Sequence, residues 1–258
     1  MPMSLPEIEQ ALRVLRLSGI RITLEARAVQ ATQGELSFMD AFGMLLQDEL
    51  DRRKTRLLER RFLLSGLKER KAMSDFDWSF NPKIPKGAVL ELLTLNFARD
   101  HEDALLIGAP GTGKSHVAKA LALSAIAAEL RVVYREAHVL FEDLLQAENL
   151  GNKKKFMKSL ADADLLIIDD LGLTQLAPGN AEDILEIVMS RYEKKSTLMT
   201  SNRIISDWSK MLGDATLSSA VLDRLMHHCN LLKFEGRSYR LREAGQKMAA
   251  DAIEAKTA

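Results

Sequence analysis

The sequence predicts an α/β fold in which a parallel sheet is flanked by helices and preceded by a small all-helical region. From about residue 88 onward, short continuous apolar runs alternate with helical patterns, which is typical of strands buried on both faces of a parallel sheet. A glycine-rich loop connects the first of these runs to the helix that follows. We therefore predict a helical N-terminal domain (residues 1–72), a linker (73–87) and an α/β domain (88–258).

The N-terminal domain is predicted to contain three helices, because apolar residues recur in it at three- and four-residue spacing. The first helix ends near residue 18, and the second spans residues 21–33. Ser37 followed by Asp40 predicts a capping box at the start of a long third helix.

The third helix becomes strongly basic beyond Leu50. Residues 51–71 contain nine basic and three acidic side chains, hence a net charge of +6 in a chain whose formal net charge is zero. Clustered Lys and Arg residues release counterions from a nucleic acid, which favours a contact with a phosphate backbone; a solvated helix face is the alternative. The candidate contacts are Arg52, Arg53, Lys54, Arg56, Arg60 and Arg61.

The linker contains Pro82 and Pro85, which disfavour a helix, and the aromatic residues Phe76, Trp78 and Phe80. We expect these rings to pack against the α/β domain. Core packing is favoured over a wall for a nucleotide base.

The α/β domain is predicted to alternate helices and strands in chain order. The predicted helices cover residues 89–99, 116–130, 137–148 and 181–194. The predicted strands cover residues 104–107, 131–134, 165–168 and 197–200. In an open parallel sheet, ligands bind beyond the carboxyl ends of the strands, so this edge is where a site is expected.

The loop after the first predicted strand fits G-x-x-x-x-G-K-[ST], the phosphate-binding pattern, at every fixed position. It reads Gly108-Ala109-Pro110-Gly111-Thr112-Gly113-Lys114-Ser115. Its glycines allow backbone N–H groups to point at phosphate oxygens, and the following helix adds the positive end of its dipole. Lys114 is placed to bind the β- and γ-phosphates, and the Ser115 hydroxyl to bind Mg²⁺. The flanking strand and helix favour nucleoside triphosphate binding over a chance match.

Polar side chains follow two other predicted strands. Asp169 and Asp170 close the third strand, and Asn202 follows the fourth. Asp169 is placed to hold Mg²⁺ through its water shell, and Asp170 to orient or polarise an attacking water molecule. Asn202 could reach the γ-phosphate or that water; the alternatives are solvated acids in a turn and a strand-terminating Asn.

These motifs, in this order and together with the Val-Leu-Asp-Arg-Leu segment at residues 221–225, resemble those of the AAA+ ATPases. Within that class the chain is most similar to the IstB-like and DnaC-like group. The long basic helix and the Phe-Asn-Pro stretch at residues 80–82 favour the IstB-like side. The resemblance implies that Lys114 and Ser115 are Walker A residues, Asp169 and Asp170 Walker B residues, Asn202 sensor I and Arg224 an arginine finger.

Two departures from the family pattern modify these expectations. Walker B ends in Asp-Asp rather than the commoner Asp-Glu, so turnover is expected to be slow. Only 34 residues follow Arg224, too few for a full helical lid, so the lid is expected to be reduced or absent. Arg237, Arg240 and Arg242 are basic candidates for the nucleotide in this segment, and their role stays open.

Lys153, Lys154 and Lys155 open the helix that leads into the third strand. In the resembling group, an extra helix in this region lines the DNA-facing side of the assembly, which implies a backbone contact; a solvated charge run is the alternative. Since no aromatic stacking ladder accompanies these lysines, we expect DNA binding to be largely independent of sequence.

Other features predict little chemistry. The single Cys229 excludes an internal disulfide and is interpreted as a small apolar filler. The His227-His228 pair lacks partners at metal-ligand spacing, so it is interpreted as structural. No secretory signal or membrane-spanning run is visible, so we expect a cytoplasmic protein.

The resemblance implies an ATP-dependent, DNA-binding ATPase that assembles on target DNA and recruits or activates a transposase. Its cofactors would be ATP and Mg²⁺, and its partners duplex DNA, the cognate transposase and further copies of the chain, with ATP at subunit interfaces. Two alternatives stay open: a helicase loader of the DnaC type, which would prefer single-stranded DNA, and a nucleotide-gated DNA scaffold with negligible turnover.

Overall fold

The structure is a computed structural model that describes residues 2–34, 36–172, 176–177 and 179–257, with side chains up to residue 248. It divides the chain into two compact units, Met1–Arg61 and Phe62–Ala258. The helical region expected to reach residue 72 ends as helix at Ser65. Residues beyond it belong to the second unit and contact its other residues: the Ala72 carbonyl oxygen lies 2.8 Å from His116 Nε2, and Glu69 lies 3.5 Å from Lys119 Nζ.

The described residues of the first unit form the predicted helices. Their bounds are Leu5–Val14 (α1), Ser18–Gln33 (α2) and Phe38–Ser65 (α3), the last of which crosses the boundary between the units. The Asp40 amide donates to Ser37 Oγ at 3.2 Å, so the Ser37 half of the predicted capping box is formed. Helix α2 starts three residues earlier than the predicted position.

One buried and one half-buried polar contact hold α2 against α3. The Gly19 amide donates to the Glu49 carboxylate at 2.5 Å, and Arg27 pairs with Asp48 at 2.7 Å. A Cβ at Gly19 would stand 2.5 Å from the Glu49 Cα, so the two helices approach this closely only because residue 19 is glycine.

The second unit alternates helices and strands. Its helices are Lys86–Leu93 (α4), Asn96–Arg99 (α5), Lys114–Ala127 (α6), Ala137–Asn149 (α7), Lys153–Ala161 (α8), Asn180–Arg191 (α9), Trp208–Leu212 (α10), Ala215–His227 (α11) and Tyr239–Thr257 (α12). Its strands are Asp103–Gly108 (β1), Val132–Glu136 (β2), Leu165–Leu171 (β3), Ser196–Ser201 (β4) and Cys229–Phe234 (β5). The helix predicted over residues 89–99 is two helices, because Leu95 adopts a left-handed backbone with φ of 63°.

The described strands form one parallel five-stranded sheet in the order β2-β3-β4-β1-β5, which confirms the predicted fold class. Strand β5 was not predicted. It lies at the edge of the sheet, where the exposed Leu231 and Lys233 alternate with the buried Leu232 and Phe234, so it lacks a continuous buried apolar run.

The strand order determines where the functional residues meet. Strands β3, β4 and β1 are neighbours, so the carboxyl ends that carry Asp169, Asn202 and Gly108 lie side by side at one edge. Helix α6 packs on the sheet through fully buried residues such as Val117 and Leu121, which fixes the loop that precedes it. None of the described helices is long and apolar enough to cross a membrane.

Candidate functional site

A cavity of about 330 Å³ opens at the carboxyl edge of the sheet. Its walls come from the glycine-rich loop, the ends of β3 and β4, the linker and the start of α12. Its size is within the range of small-molecule sites, about 300–1,000 Å³. The cavity therefore brings together segments that are far apart in the sequence.

The glycine-rich loop has a conformation that requires glycine. Gly111 and Gly113 have φ of 75° and 106°, in the left-handed region. A Cβ at Gly111 would stand 2.1 Å from Ser238 Oγ, and one at Gly113 would stand 2.6 Å from the Phe76 ring. The Gly111 carbonyl also accepts a 2.9 Å hydrogen bond from the Tyr239 amide. The loop is thus held in its curled form by the linker on one side and the start of α12 on the other.

Lys114 lies at the centre of the site and is only 3% exposed. Its ammonium donates to the carbonyl oxygens of Gly108 (2.8 Å) and Ala109 (2.9 Å) and to Asn202 Oδ1 (2.6 Å). Burial lowers the pKa of Lys114 to about 8. The structure therefore places Asn202 against Lys114, and a bound phosphate would offer this ammonium a better partner than neutral oxygens.

Asp169 is buried, with 1% exposure, and both of its carboxylate oxygens accept hydrogen bonds. The Tyr134 hydroxyl donates to Oδ2 at 2.6 Å, and the Thr200 hydroxyl donates to Oδ1. Burial and then the Asp169 charge raise the pKa of Tyr134, which keeps the phenol protonated as a donor. Sequence reasoning missed Tyr134 and Thr200, although Thr200 stands at the carboxyl end of a predicted strand.

Asp170 lines the cavity from an unusual backbone position. Its φ of 57° is left-handed, and the register between β3 and β4 shifts between Ile168 and Leu171. The Asp170 amide donates to Thr200 Oγ1 at 2.8 Å, which fixes this conformation. Burial and then the neighbouring Asp169 raise the pKa of Asp170. Strained residues of this kind often occur at functional sites, and this one turns the second acid toward the cavity.

The linker and the start of α12 pack against each other and form one wall of the cavity. The Asn81 side chain donates to the Arg237 carbonyl and accepts from the Arg237 amide, both at 2.9 Å. Arg242 pairs with Asp77 at 3.0 Å and lies 5.0 Å from the centre of the Phe80 ring. Phe80 also lines the cavity, so the linker forms part of the cavity wall in addition to packing against the α/β domain. This observation favours the less preferred interpretation of the linker aromatics, a wall for a nucleotide base.

Arg240 lines the cavity from the C-terminal segment, together with Tyr239 and Glu243. Its charge acts on both Asp170 and Lys114. Arg237 and Arg242 instead contact the linker. Of the three arginines left open by the sequence, Arg240 is therefore the one that lies among the described residues of the cavity wall.

The oxygen donors at this edge fit Mg²⁺. Ser115 and Asp170 line the cavity, and hard oxygen ligands of this type suit the ion. Because both oxygens of Asp169 are engaged by Tyr134 and Thr200, Asp169 would act on the ion through bound water.

Other predicted site residues lie elsewhere. Arg224 is half-buried on α11, donates to the Ala220 carbonyl at 3.0 Å, and is not among the described residues that line the cavity. Lys153 pairs with Asp183 at 2.9 Å, whereas Lys154 and Lys155 are exposed on α8. On α3, Arg53, Lys54, Arg56 and Arg60 are exposed, while Arg52 and Arg61 are half-buried. Their roles stay predictions.

Comparison with known families identifies the chain. The model of the family described as IstB-like ATP binding protein matches residues 10–247. The chain belongs to this family. It is 35% identical over 237 residues to a protein of insertion sequence IS21 from Pseudomonas aeruginosa, covering 92% of this chain and 89% of the relative. It is 34% identical over 218 residues to a protein of IS5376 from Geobacillus stearothermophilus, covering 84% and 87%. Both relatives are named for ATP binding.

Solved structures show the same fold. The replication initiator DnaA bound to AMPPCP and single-stranded DNA matches with a TM-score of 0.57 and 21% identity, covering 72% of this chain and 56% of that chain. DnaI matches with a TM-score of 0.55 and 18% identity, covering 66% and 90%. The fold is that of the AAA+ ATPases, and membership in the IstB-like family makes this chain an ATP-binding AAA+ protein.

Proposed function

We propose that this IstB-like protein hydrolyses ATP, assembles on duplex DNA with ATP at its subunit interfaces, and recruits or activates the transposase of its insertion sequence. The observation that carries the proposal is the convergence of Lys114, Asp170 and Asn202 on one cavity beside the buried Asp169. The relatives named for insertion sequences support the transposition context.

The chain's own residues suit the steps of phosphoryl transfer to water. Lys114 and the loop amides would hold the β- and γ-phosphates, while Ser115 and Asp169 would hold Mg²⁺, which neutralises charge that develops on the phosphates. Asp170 would accept a hydrogen bond from the attacking water and align it with the γ-phosphorus. As the water oxygen bonds to that phosphorus, the bond to the ADP oxygen breaks, and the water proton passes to the Asp170 carboxylate and from there to phosphate.

Arg224 supports a dependence of hydrolysis on assembly. Because its guanidinium is directed along α11 and lies outside the cavity of its own chain, it would act on a neighbouring copy. Such a finger stabilises charge in the transition state.

Mixing two inactive variants tests the assignment of Arg224 as an arginine finger. The Asp170→Asn chain keeps Arg224, and the Arg224→Ala chain keeps Asp169 and Asp170. In a mixed oligomer the two chains should therefore form complete sites at their shared interfaces, and the mixture should regain hydrolysis that neither variant has alone. If the mixture stays inactive although both variants assemble, the finger assignment is wrong.

DNA binding rests on exposed basic side chains in each unit, those of α3 in the first and Lys154 and Lys155 in the second. Contacts of this kind are sequence-independent and weaken steeply with salt. Binding should therefore be similar for unrelated duplexes of equal length, and Lys154→Ala with Lys155→Ala should reduce the salt dependence.

Electron microscopy of the untagged protein with a non-hydrolysable ATP analogue tests the whole proposal, with duplex and single-stranded DNA of equal length compared side by side. We expect ordered oligomers on duplex DNA, and phosphate release from ATP that DNA stimulates. Oligomers only on single strands would favour a helicase-loader role. Assembly without any phosphate release would favour a scaffold. A monomer under all conditions would contradict the proposal.

The contact between Tyr134 and Asp169 gives a separate prediction. Tyr134→Phe removes the hydroxyl that fixes Asp169 but keeps the buried ring. Partners of this kind are worth about 10- to 100-fold in metal affinity or activity. We expect the Mg²⁺ concentration for half-maximal hydrolysis to rise and kcat to fall about tenfold, with ATP affinity unchanged. A steady-state titration with Mg²⁺ measures this. An unchanged Mg²⁺ dependence would show that Tyr134 only packs.

A further inference from the structure

Three side chains that can act as metal ligands lie together, outside the described lining of the cavity. Glu193 follows α9, His227 is the last residue of α11, and His228 precedes β5. His227 Nδ1 and His228 Nε2 each lie 3.7 Å from Glu193 Oε1, and the three donor atoms lie within 4.8 Å of one another. All three side chains are more than half exposed. Sequence spacing alone does not identify Glu193 as a partner of these histidines, because it is 34 positions away from His227.

We propose that Glu193, His227 and His228 bind a divalent transition-metal ion of the Zn²⁺ type. Zn²⁺ binds His nitrogen and carboxylate oxygen at about 2.0–2.2 Å, so two ligands of a tetrahedral ion stand about 3.3 Å apart. The observed separations of 3.7 Å differ from this value by less than the reach of small side-chain rotations. Two imidazoles with one carboxylate favour Zn²⁺ over Mg²⁺ or Ca²⁺, and the fourth position is left to water.

The arrangement is better explained by a shared cation than by two ion pairs. Both histidines approach the same carboxylate oxygen, and their ring centres are only 4.0 Å apart. Two imidazolium ions at this distance repel each other, whereas two neutral imidazoles and a carboxylate can all donate electron pairs to one ion.

Tyr192 competes with the ion for one of these ligands. Its hydroxyl lies 2.8 Å from His227 Nδ1, the nitrogen that would bind the metal. Metal binding must displace this hydroxyl, so Tyr192→Phe should strengthen binding rather than weaken it. A merely structural role of the tyrosine would not produce a tighter site.

The site joins two elements whose positions matter for the proposed function. Arg224 lies three residues before His227 on α11, and the ion would fasten the end of this helix to the turn after α9. The effect on Arg224 rests on the proposed finger role, but metal binding itself does not. An ion that binds only the folded protein also raises its thermal stability.

Zn²⁺ titration by calorimetry on the untagged, metal-stripped protein tests the proposal, with excess Mg²⁺ present to occupy oxygen-rich sites. We expect one Zn²⁺ per chain with a micromolar Kd, a rise in Tm, and visible absorption of a four-coordinate ion when Co²⁺ is used instead. His227→Ala and His228→Ala should each weaken binding by more than about tenfold.

His138→Ala is the matched control. His138 Nε2 also lies 3.7 Å from a carboxylate, that of Glu136, but no third ligand completes a group there among the described residues. This variant should bind Zn²⁺ as the wild type does. An equal loss in His138→Ala and His227→Ala would overturn the proposal, as would no binding by the wild type. If the histidine variants do not fold, X-ray absorption spectroscopy of the Zn²⁺-loaded wild type tests the site instead. A Zn²⁺ coordination shell that does not contain two imidazoles would contradict the proposal.

Discussion

Lys114→Ala is expected to raise the Kd for ATP by more than about a hundredfold. The Lys114 ammonium is buried and already held by Gly108, Ala109 and Asn202, so it meets the phosphates with little reorganisation. Truncating one partner of a buried, hydrogen-bonded charge pair costs about 2–5 kcal/mol, and 3 kcal/mol corresponds to about a hundredfold in Kd. Calorimetric titration with ATP and Mg²⁺ measures the change.

Lys210→Ala is a suitable control, because Lys210 is exposed on α10 and is not among the described residues lining the cavity. It should leave ATP affinity unaltered. If Lys114→Ala bound ATP within about threefold of the wild type, a factor worth only about 0.7 kcal/mol, the cavity would not be the phosphate site.

The pH dependence of ATP binding provides a second test of Lys114. Burial holds its pKa at about 8 in the free protein, and bound phosphates favour the charged form. Below this pH the ammonium is already charged, so affinity should be nearly constant. Above it the free site must take up a proton to bind ATP, so affinity should fall by up to about tenfold per pH unit. Lys114→Ala should lose this dependence.

The sequence was sufficient for the parts of the fold that local pattern determines. Continuous apolar runs located the central strands, and the loop motif located Lys114 and Ser115. Strand β5 was missed because the exposed Leu231 and Lys233 alternate with buried residues, whereas β2, at the other edge, opens with an apolar run that was recognised. The break at Leu95 was missed because a left-handed leucine leaves no signal in apolar spacing.

Contacts between distant residues depend on strand order, which periodicity does not encode. Tyr134 meets Asp169 because β2 and β3 are neighbours, and Thr200 meets it because β4 lies on the other side of β3. Arg240 reaches the cavity through a segment whose helix was not predicted. The sequence thus located the motif residues of the site, whereas the groups that hold Asp169 in place required the structure.

Asp170→Asn is expected to abolish hydrolysis while preserving ATP binding and assembly. Asn keeps the size of the side chain and tolerates the left-handed backbone at this position, but it cannot accept a proton from water. Loss of a positioned base costs about 10²–10⁴ in rate. Phosphate release should therefore fall at least about a hundredfold, while calorimetry and electron microscopy should show ATP binding and DNA-bound oligomers as in the wild type. Asp100→Asn, an exposed acid outside the described cavity lining, should change none of these.

The same substitution should make the protein more stable at neutral pH. Burial and then Asp169 raise the pKa of Asp170 above the ordinary value of 3.8, so the ionised carboxylate destabilises the folded state. Its favourable contribution is present only in acid and is lost as pH rises through the raised pKa. Asn carries no charge, so Asp170→Asn should have a higher Tm than the wild type at pH 7, and this gain should vanish near pH 3.8 and below. Thermal melts across this range measure the difference. A lower Tm at pH 7 would mean that Asp170 stabilises the fold, and the loss of hydrolysis could then no longer be assigned to chemistry alone.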